Sequence, residues 1–424
     1  MPDRRLAVAI CLLSVGCAGQ SEGGPVIVTF PGSSLGAEAE VLNRQLTRFN
    51  AAHPGIRVVR RDTPDAADQR HQLYVQWLNA GASDPDILQL DAIWTPEFAA
   101  AGWILPLDRF HPDTAAFFGS TILANRWRDT LFALPWFVDV GMLYWRTDLV
   151  SSPPQTLSQL VDDARRVQEQ HHVRYGLVWQ GARYEGLITN FLEYLGAFGG
   201  EILRGGRVTV NSEAGIRALT EMRDEIYREG IVPSAVLTWH EEESRFAFQN
   251  GESAFMRNWP YAVALLQDSS QSKVAGRFSV AAMPAGPGGR PTAALGGAQL
   301  AINRHTENPG AAWAVIDYLT QPEQMRERAH VVGQYPSRTA MYQGDALKGQ
   351  LNIPPEVARR VIEYAVPRPV TPVYNQISEI LQIQLHRALT RQTTPAAALA
   401  QAQTDMQQLL DRVGLGAGAT TAQR

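Results

Sequence analysis

Cysteine, lysine and long apolar runs are all scarce in this sequence, and each scarcity excludes something. The 424 residues hold two cysteines, Cys11 and Cys17. The histidines are scattered, and neither the His171-His172 pair nor His240 has the partner spacing of a zinc site, so no metal is expected. No glycine-rich phosphate loop is followed by a lysine, which excludes a standard nucleotide site, and no other cofactor is expected. Of 38 basic residues only Lys273 and Lys348 are lysine, and the net charge is −4, so a broad basic field for nucleic acid is not expected. Beyond the N-terminus no apolar run approaches the roughly 18 residues that a membrane span needs. The absence of a repeat of fixed period argues against solenoids and propellers. What remains is a globular composition, 45% hydrophobic and 19% charged. Its length suggests about two or three domains of roughly 150 residues each, or one large two-lobed unit, and suffices to bury cores without disulfides.

The N-terminus carries an address. Arg4 and Arg5 precede the apolar run from Leu6 to Leu13, then Ser14, Val15, Gly16 and Cys17. A charged start, a short apolar stretch and a small residue before the cleavage point make a signal peptide. Ending at Gly16-Cys17, it resembles a bacterial lipoprotein signal, with residues 1–16 removed and Cys17 lipidated as the new N-terminus. An ordinary secretory signal cut nearby is the alternative; either way the chain is exported. Cys11 leaves with the signal, so the mature chain has no disulfide. Residues 17–25, with Ser21, Gly23, Gly24 and Pro25, form a tether.

The order of elements predicts an α/β fold. Val26 to Phe30 is a β-branched strand broken at Pro31-Gly32-Ser33-Ser34. A helix follows, with Val41, Leu42, Leu46 and Phe49 on one face. Ile56 to Val59 is the next strand, a helix carries Leu73, Trp77 and Leu78, and Ile87 to Leu90 is a third strand. Strand and helix alternating at this spacing predict a mostly parallel sheet. From Leu131 the rhythm changes to two aromatic strands with Asp139 between them. Later alternation runs through Ala254 to Met256, Phe278 to Val280, and Gly296-Gly297 into Ile302. The remainder is mainly helical, and residues 416–424 read as a frayed tail.

Enzyme signatures are weak. Gly32-Ser33-Ser34-Leu35-Gly36 matches the nucleophile-elbow pattern, but it follows the first strand, and no glycine run after a histidine supplies an oxyanion hole. It reads as a turn into a helix. The acidic run Glu241-Glu242-Glu243 could include a glycosidase acid, yet such a run near a helix start suits a solvated face. More telling are Asp91 to Trp94, Trp136 to Asp139 and Asn258 to Tyr261, each joining a hydrogen-bonding group to a flat ring. A sugar needs that combination, because its C–H face packs on an aromatic ring while its hydroxyls need charged acceptors and planar donors. Trp77, Trp127 and Trp313 sit at helical spacing and read as core. Asp91 and Asp139 follow apolar strands, at the carboxyl ends where open α/β sheets bind ligands.

These segments carry a resemblance. Ile87 to Trp94, Gly102-Trp103, Pro106-Leu107, Ala133 to Asp139 and Tyr144 to Leu149 occur in order, followed by Trp179-Gln180-Gly181 and Tyr184 to Leu187. Phe246 to Gly251, Phe255 to Tyr261, Leu295 to Gly297 and Ala365 to Pro369 complete the series. Together they resemble the extracellular solute-binding proteins of ABC sugar importers, closest to the trehalose- and maltose-binding group, over nearly all of the mature chain. The resemblance implies a two-lobed type II fold with a cleft between lobes. Residues 26–135 plus about 298–338 would form the N-terminal lobe, and 136–297 plus about 339–415 the C-terminal lobe. It implies that Asp91 and Asp139 bind hydroxyls, Trp259 and Tyr261 stack, Gly296 and Gly297 offer backbone groups, and Arg368 reaches in. Glu38 is an acidic ligand, or Glu40 after a register shift; Glu241 or Glu242 is another. Ala298 and Phe137 stand where some relatives carry tryptophan and tyrosine, which bears on the identity of the sugar. The implied function is capture of a disaccharide (trehalose, maltose or a similar α-glucoside) by a monomer. Delivery would be to ABC permease subunits with their ATPase, and the protein would be held to the membrane through Cys17. The alternative is an exported glycoside hydrolase using Asp139 and Glu241 or Glu242.

Overall fold

Val26–Gly32 and Ile56–Asp62 pair in parallel, Val26 opposite Ile56, with the helix Gly36–Ala52 connecting them. The structure, a computed structural model, describes residues 24–32, 36–64, 67–171 and 173–417. Cys17, Ser33, Ser34 and His172 lie outside the described residues. The first strand runs on through Pro31 and Gly32, which pair with Arg61 and Asp62, rather than breaking before them. Val41, Leu42, Leu46 and Phe49 of the connecting helix are all buried, as their spacing predicts.

The third strand, Ile87–Asp91, leads to a correction. It pairs antiparallel with Ala293–Ile302, which is also antiparallel to Ala133–Val140. Tyr335–Pro336 adds an antiparallel edge, and only Ala365–Val366 joins this sheet in parallel. The second sheet runs in the order Phe278–Ala281, Met142–Arg146, Ser253–Asn258, Tyr175–Val178, with only the last junction parallel. The sheets are therefore mixed, not mostly parallel. The cause is traffic between lobes: Ala133–Val140 leads out of the first sheet toward the second. Ala293–Ile302 comes back beside it, and chains passing in opposite directions pair antiparallel.

Each sheet is covered by helices. Glu185–Ala197 is apolar nearly all round and is buried accordingly among Glu213–Tyr227, Tyr374–Leu389 and the strand Ala293–Ile302. Of the three tryptophans expected to fill space, half-buried Trp313 stacks on Phe110 at 5.0 Å and half-buried Trp77 packs beside Tyr74 under Arg61. Trp127 instead lies in the short strand Arg126–Trp127, half-buried and outside the hydrophobic cores, so its helical spacing misleads. Among the described residues, no helix is long and apolar enough to cross a membrane, and no group of three or more His, Cys, Asp or Glu could hold a metal ion.

Candidate ligand-binding site

Two adjoining cavities open between the lobes, of about 450 Å³ and about 310 Å³, and they share Asp91, Asp139 and Gly297. The first is lined by Glu38, Arg70, Gln89, Trp136, Phe137 and Ala298 besides the shared three. The second adds Tyr184, Glu185, Thr189, Glu241, Trp259, Tyr261, Gly296 and Arg368. All nine residues singled out from the sequence thus line one continuous space, large enough for an organic ligand rather than an ion.

Asp91 ends the strand Ile87–Asp91, and its Oδ1 accepts from the Ile93 N–H and from Arg368 Nη2, both at 3.2 Å. Arg368 donates its Nη1 to Glu185 Oε1 at 2.9 Å, so one guanidinium bridges a carboxylate from each lobe. Glu185 also accepts from Tyr374 and Ser378. Burial works against the charge on Arg368, but Asp91 and Glu185 outweigh it and hold the pKa above its usual value. Asp139 sits near the end of Ala133–Val140, opposite Gly296. Desolvation first, then the charges of Glu38 and Asp91, push its carboxyl up to about 7.

The sign of that shift gives an expected result. The folded protein keeps a proton on Asp139 that the unfolded chain has lost between about pH 4 and pH 7. Stability from this group therefore falls as pH rises through that window. Asp139→Asn should raise the melting temperature of the unliganded protein at pH 8 and leave it near the parent at pH 4, by calorimetric melts at both pH values. An equal change at both would show that Asp139 ionises freely.

Glu38 is fixed by Arg328 at 3.1 Å and Gln334 at 2.7 Å, whereas Glu40 is exposed and lines neither cavity. Arg328 is buried, with its guanidinium 3.9 Å from the Trp136 ring centroid, and burial lowers its pKa to about 10. The acidic run is divided among three tasks. Glu241 accepts from Trp259 Nε1 at 3.3 Å and faces the cavity. Glu242 takes Arg245 and the Tyr261 hydroxyl, which hold its carboxyl below the usual range. Glu243 caps its own helix through the His240 N–H at 2.9 Å.

Gly297 has φ +103°, and a Cβ there would come within 2.3 Å of the Phe137 carbonyl, so only glycine fits. Gly296 is flanked by Asp139 and Trp259, whose atoms would each lie 3.4 Å from an added Cβ. Trp94 departs from the pattern: three residues beyond Asp91, it enters the helix Thr95–Ala100 and packs on Phe98 in the core. Sequence reasoning missed roles for Glu185, Arg328 and Tyr184. Tyr184 and Glu185 both lie inside the segment Tyr184 to Leu187 that carries the resemblance and were within reach, whereas Arg328 lies outside every such segment.

Two α/β lobes over a cleft lined by carboxylates, one bridging arginine and aromatic rings define a binding protein of the type II class. The chain belongs to the family of bacterial extracellular solute-binding proteins, whose model matches residues 33–326. A probable ABC transporter-binding protein of Deinococcus radiodurans is 35% identical over 413 residues, covering 92% of this chain and 95% of its own. MalE3 of T. maritima, solved with maltose bound, is 39% identical with a TM-score of 0.79, over 91% of this chain and 100% of its own. A cyclic alpha-maltosyl-1,6-maltose binding protein from Arthrobacter globiformis shares the fold, at 21% identity and a TM-score of 0.79, over 92% of this chain and 100% of its own. The family and these neighbours bind solutes and are not enzymes, which sets aside the glycoside hydrolase alternative. The family is extracellular, so the chain is an exported one.

Proposed function

We propose that this protein is the substrate-binding component of an ABC importer and captures a disaccharide of the maltose or trehalose type between its lobes. The observation that carries the reading is the shared cavity. Asp91, Asp139, Glu241 and Arg368 converge there with the rings of Trp259 and Tyr261, as hydroxyl acceptors, a planar donor and apolar faces. The maltose bound to the T. maritima relative supports the same ligand class. Glu38, Gly296 and Gly297 complete the ligand set. Residues 26–135 plus about 298–338 make one lobe and 136–297 plus about 339–415 the other. The mechanism is closure: a sugar that touches both lobes favours the closed form, and the permease with its ATPase reads that form. The protein acts as a monomer.

Calorimetric titration with maltose, trehalose and sucrose tests this. Saturable one-to-one binding without sugar turnover is expected; binding of none of the three would reject the disaccharide reading.

Anchoring belongs to the same proposal. Lipidation of Cys17 would tether the protein beside its permease. Cys17→Ala should move it from the membrane fraction to the soluble fraction of cells, read by immunoblot. Retention in the membrane fraction would reject the lipid anchor.

A further inference from the structure

Beneath the cleft lies an ion pair that lines neither cavity. Arg257 and Glu193 have side-chain exposures of 0% and 1%. Arg257 donates Nε to Glu193 Oε2 at 2.9 Å and Nη2 to Oε1 at 2.5 Å, while Nη1 reaches Gln180 Oε1 at 3.3 Å. Glu193 Oε1 also accepts the backbone N–H of Ala294 at 3.1 Å, within the strand Ala293–Ile302. The other crossing chain is tied in at the same point, since the Gly141 N–H donates to the Ala294 carbonyl at 3.0 Å. A Cβ on Gly141 would lie 1.7 Å from Glu193 Oε1 and 2.2 Å from Arg257 Nη2, so only glycine lets the pair close on the hinge.

The Arg257 guanidinium also covers Trp259, its central carbon 4.1 Å from the ring centroid. One face of the ring is taken by the cation, and the same ring lines the cavity. A buried ion pair is a poor device for stability alone, because apolar residues of similar volume commonly serve as well. The geometry suggests another use. We infer that Arg257 and Glu193 are positioning residues for sugar binding: they fix the plane of the Trp259 ring against the two crossing strands, so that the stacking wall and the hinge move as one body. The sugar part of this inference rests on the reading above; the ring positioning does not.

Two variants of the full mature chain test it. Glu193→Leu with Arg257→Met removes both charges at similar volume and leaves no uncompensated ion. Arg257→Lys keeps the charge but loses the planar fork. The first readout needs no sugar: the indole ¹H–¹⁵N signal of Trp259, identified by its loss in Trp259→Phe, should shift in both variants. The second is maltose affinity by calorimetry, expected to fall about tenfold in the double substitution. In a Trp259→Ala background the same double substitution should change affinity by less than about twofold, because its effect passes through the ring. An unmoved indole signal, or the full loss persisting without Trp259, would overturn the inference. If the parent binds trehalose or sucrose but not maltose, that sugar takes maltose's place in the titration; if it binds none of the three, the sugar reading fails and the indole signal alone decides. If the double substitution does not fold, Arg257→Lys carries both readouts with the same expected directions.

Discussion

Arg368→Ala should weaken sugar binding by about a hundredfold or more and lower the stability of the unliganded protein by about 3 kcal/mol. The guanidinium is buried, while its two partners, Asp91 and Glu185, keep about a third of their side-chain exposure, with 30% and 31%. Removing it leaves two carboxylates facing each other across the cleft with no cation between them. Partial exposure of the partners places the stability cost at the lower end of the range for broken buried pairs. Glu185 retains the Tyr374 and Ser378 hydroxyls, which limits the damage on its side. The affinity loss is the larger effect, because a sugar hydroxyl loses a charged donor and closure must now bring like charges together. Arg368→Lys should recover part of the stability and little of the affinity, since an ammonium serves one carboxylate well and cannot fork between two. Chemical denaturation and calorimetric titration of both variants measure the two quantities. Parental affinity in Arg368→Ala would remove this residue from the site.

Trp259→Ala should cost about thirtyfold in sugar affinity, a loss on the order of 2 kcal/mol that is typical of a central aromatic contact. The ring lines the cavity, its Nε1 donates to Glu241, and it offers a flat apolar surface of the kind a sugar's C–H face packs on. Trp259→Phe, which keeps a flat face but not the indole donor, should recover more than half of the lost free energy. Far-ultraviolet circular dichroism should show an unchanged fold in both variants, because the backbone around Trp259 is held independently. Its carbonyl accepts from Tyr144 at 2.6 Å, and its N–H donates to Asn258 Oδ1 at 2.9 Å. Collapse of the fold in Trp259→Ala would mean that the ring serves the core rather than the ligand.

Much of this architecture is legible along the chain, and what is not has a physical pattern. The helix bearing Val41, Leu42, Leu46 and Phe49 is visible because its spacing and its burial obey one period. The direction of Ile87–Asp91 relative to its neighbour is not visible, because that neighbour arrives from residues 293–302 and no local signal states which way it runs. The pairings of Glu185, Arg328, Glu193 and Arg257 are hidden for a related reason. In sequence each is an ordinary charge, and its partner lies 64 to 290 positions away. Trp94 shows the opposite error. Its closeness to Asp91 suggests a shared wall, but a turn of three residues is enough to send an aspartate into the cleft and a tryptophan into the core.

The placement of Ala293–Ile302 also bears on how the chain reaches its final form. This strand lies inside the first sheet, between Ala133–Val140 on one side and Ile87–Asp91 on the other. A nascent chain that has emerged only as far as residue 290 holds most of that lobe and lacks the strand that joins its halves. Pairings across two hundred residues are slow to form, because the loop must be closed before any contact rewards it. An exported protein gains from that delay. A chain that folds late is easier to thread through a translocation pore, and the lobe that begins first can be completed only after residues 136–297 of the second have been synthesised.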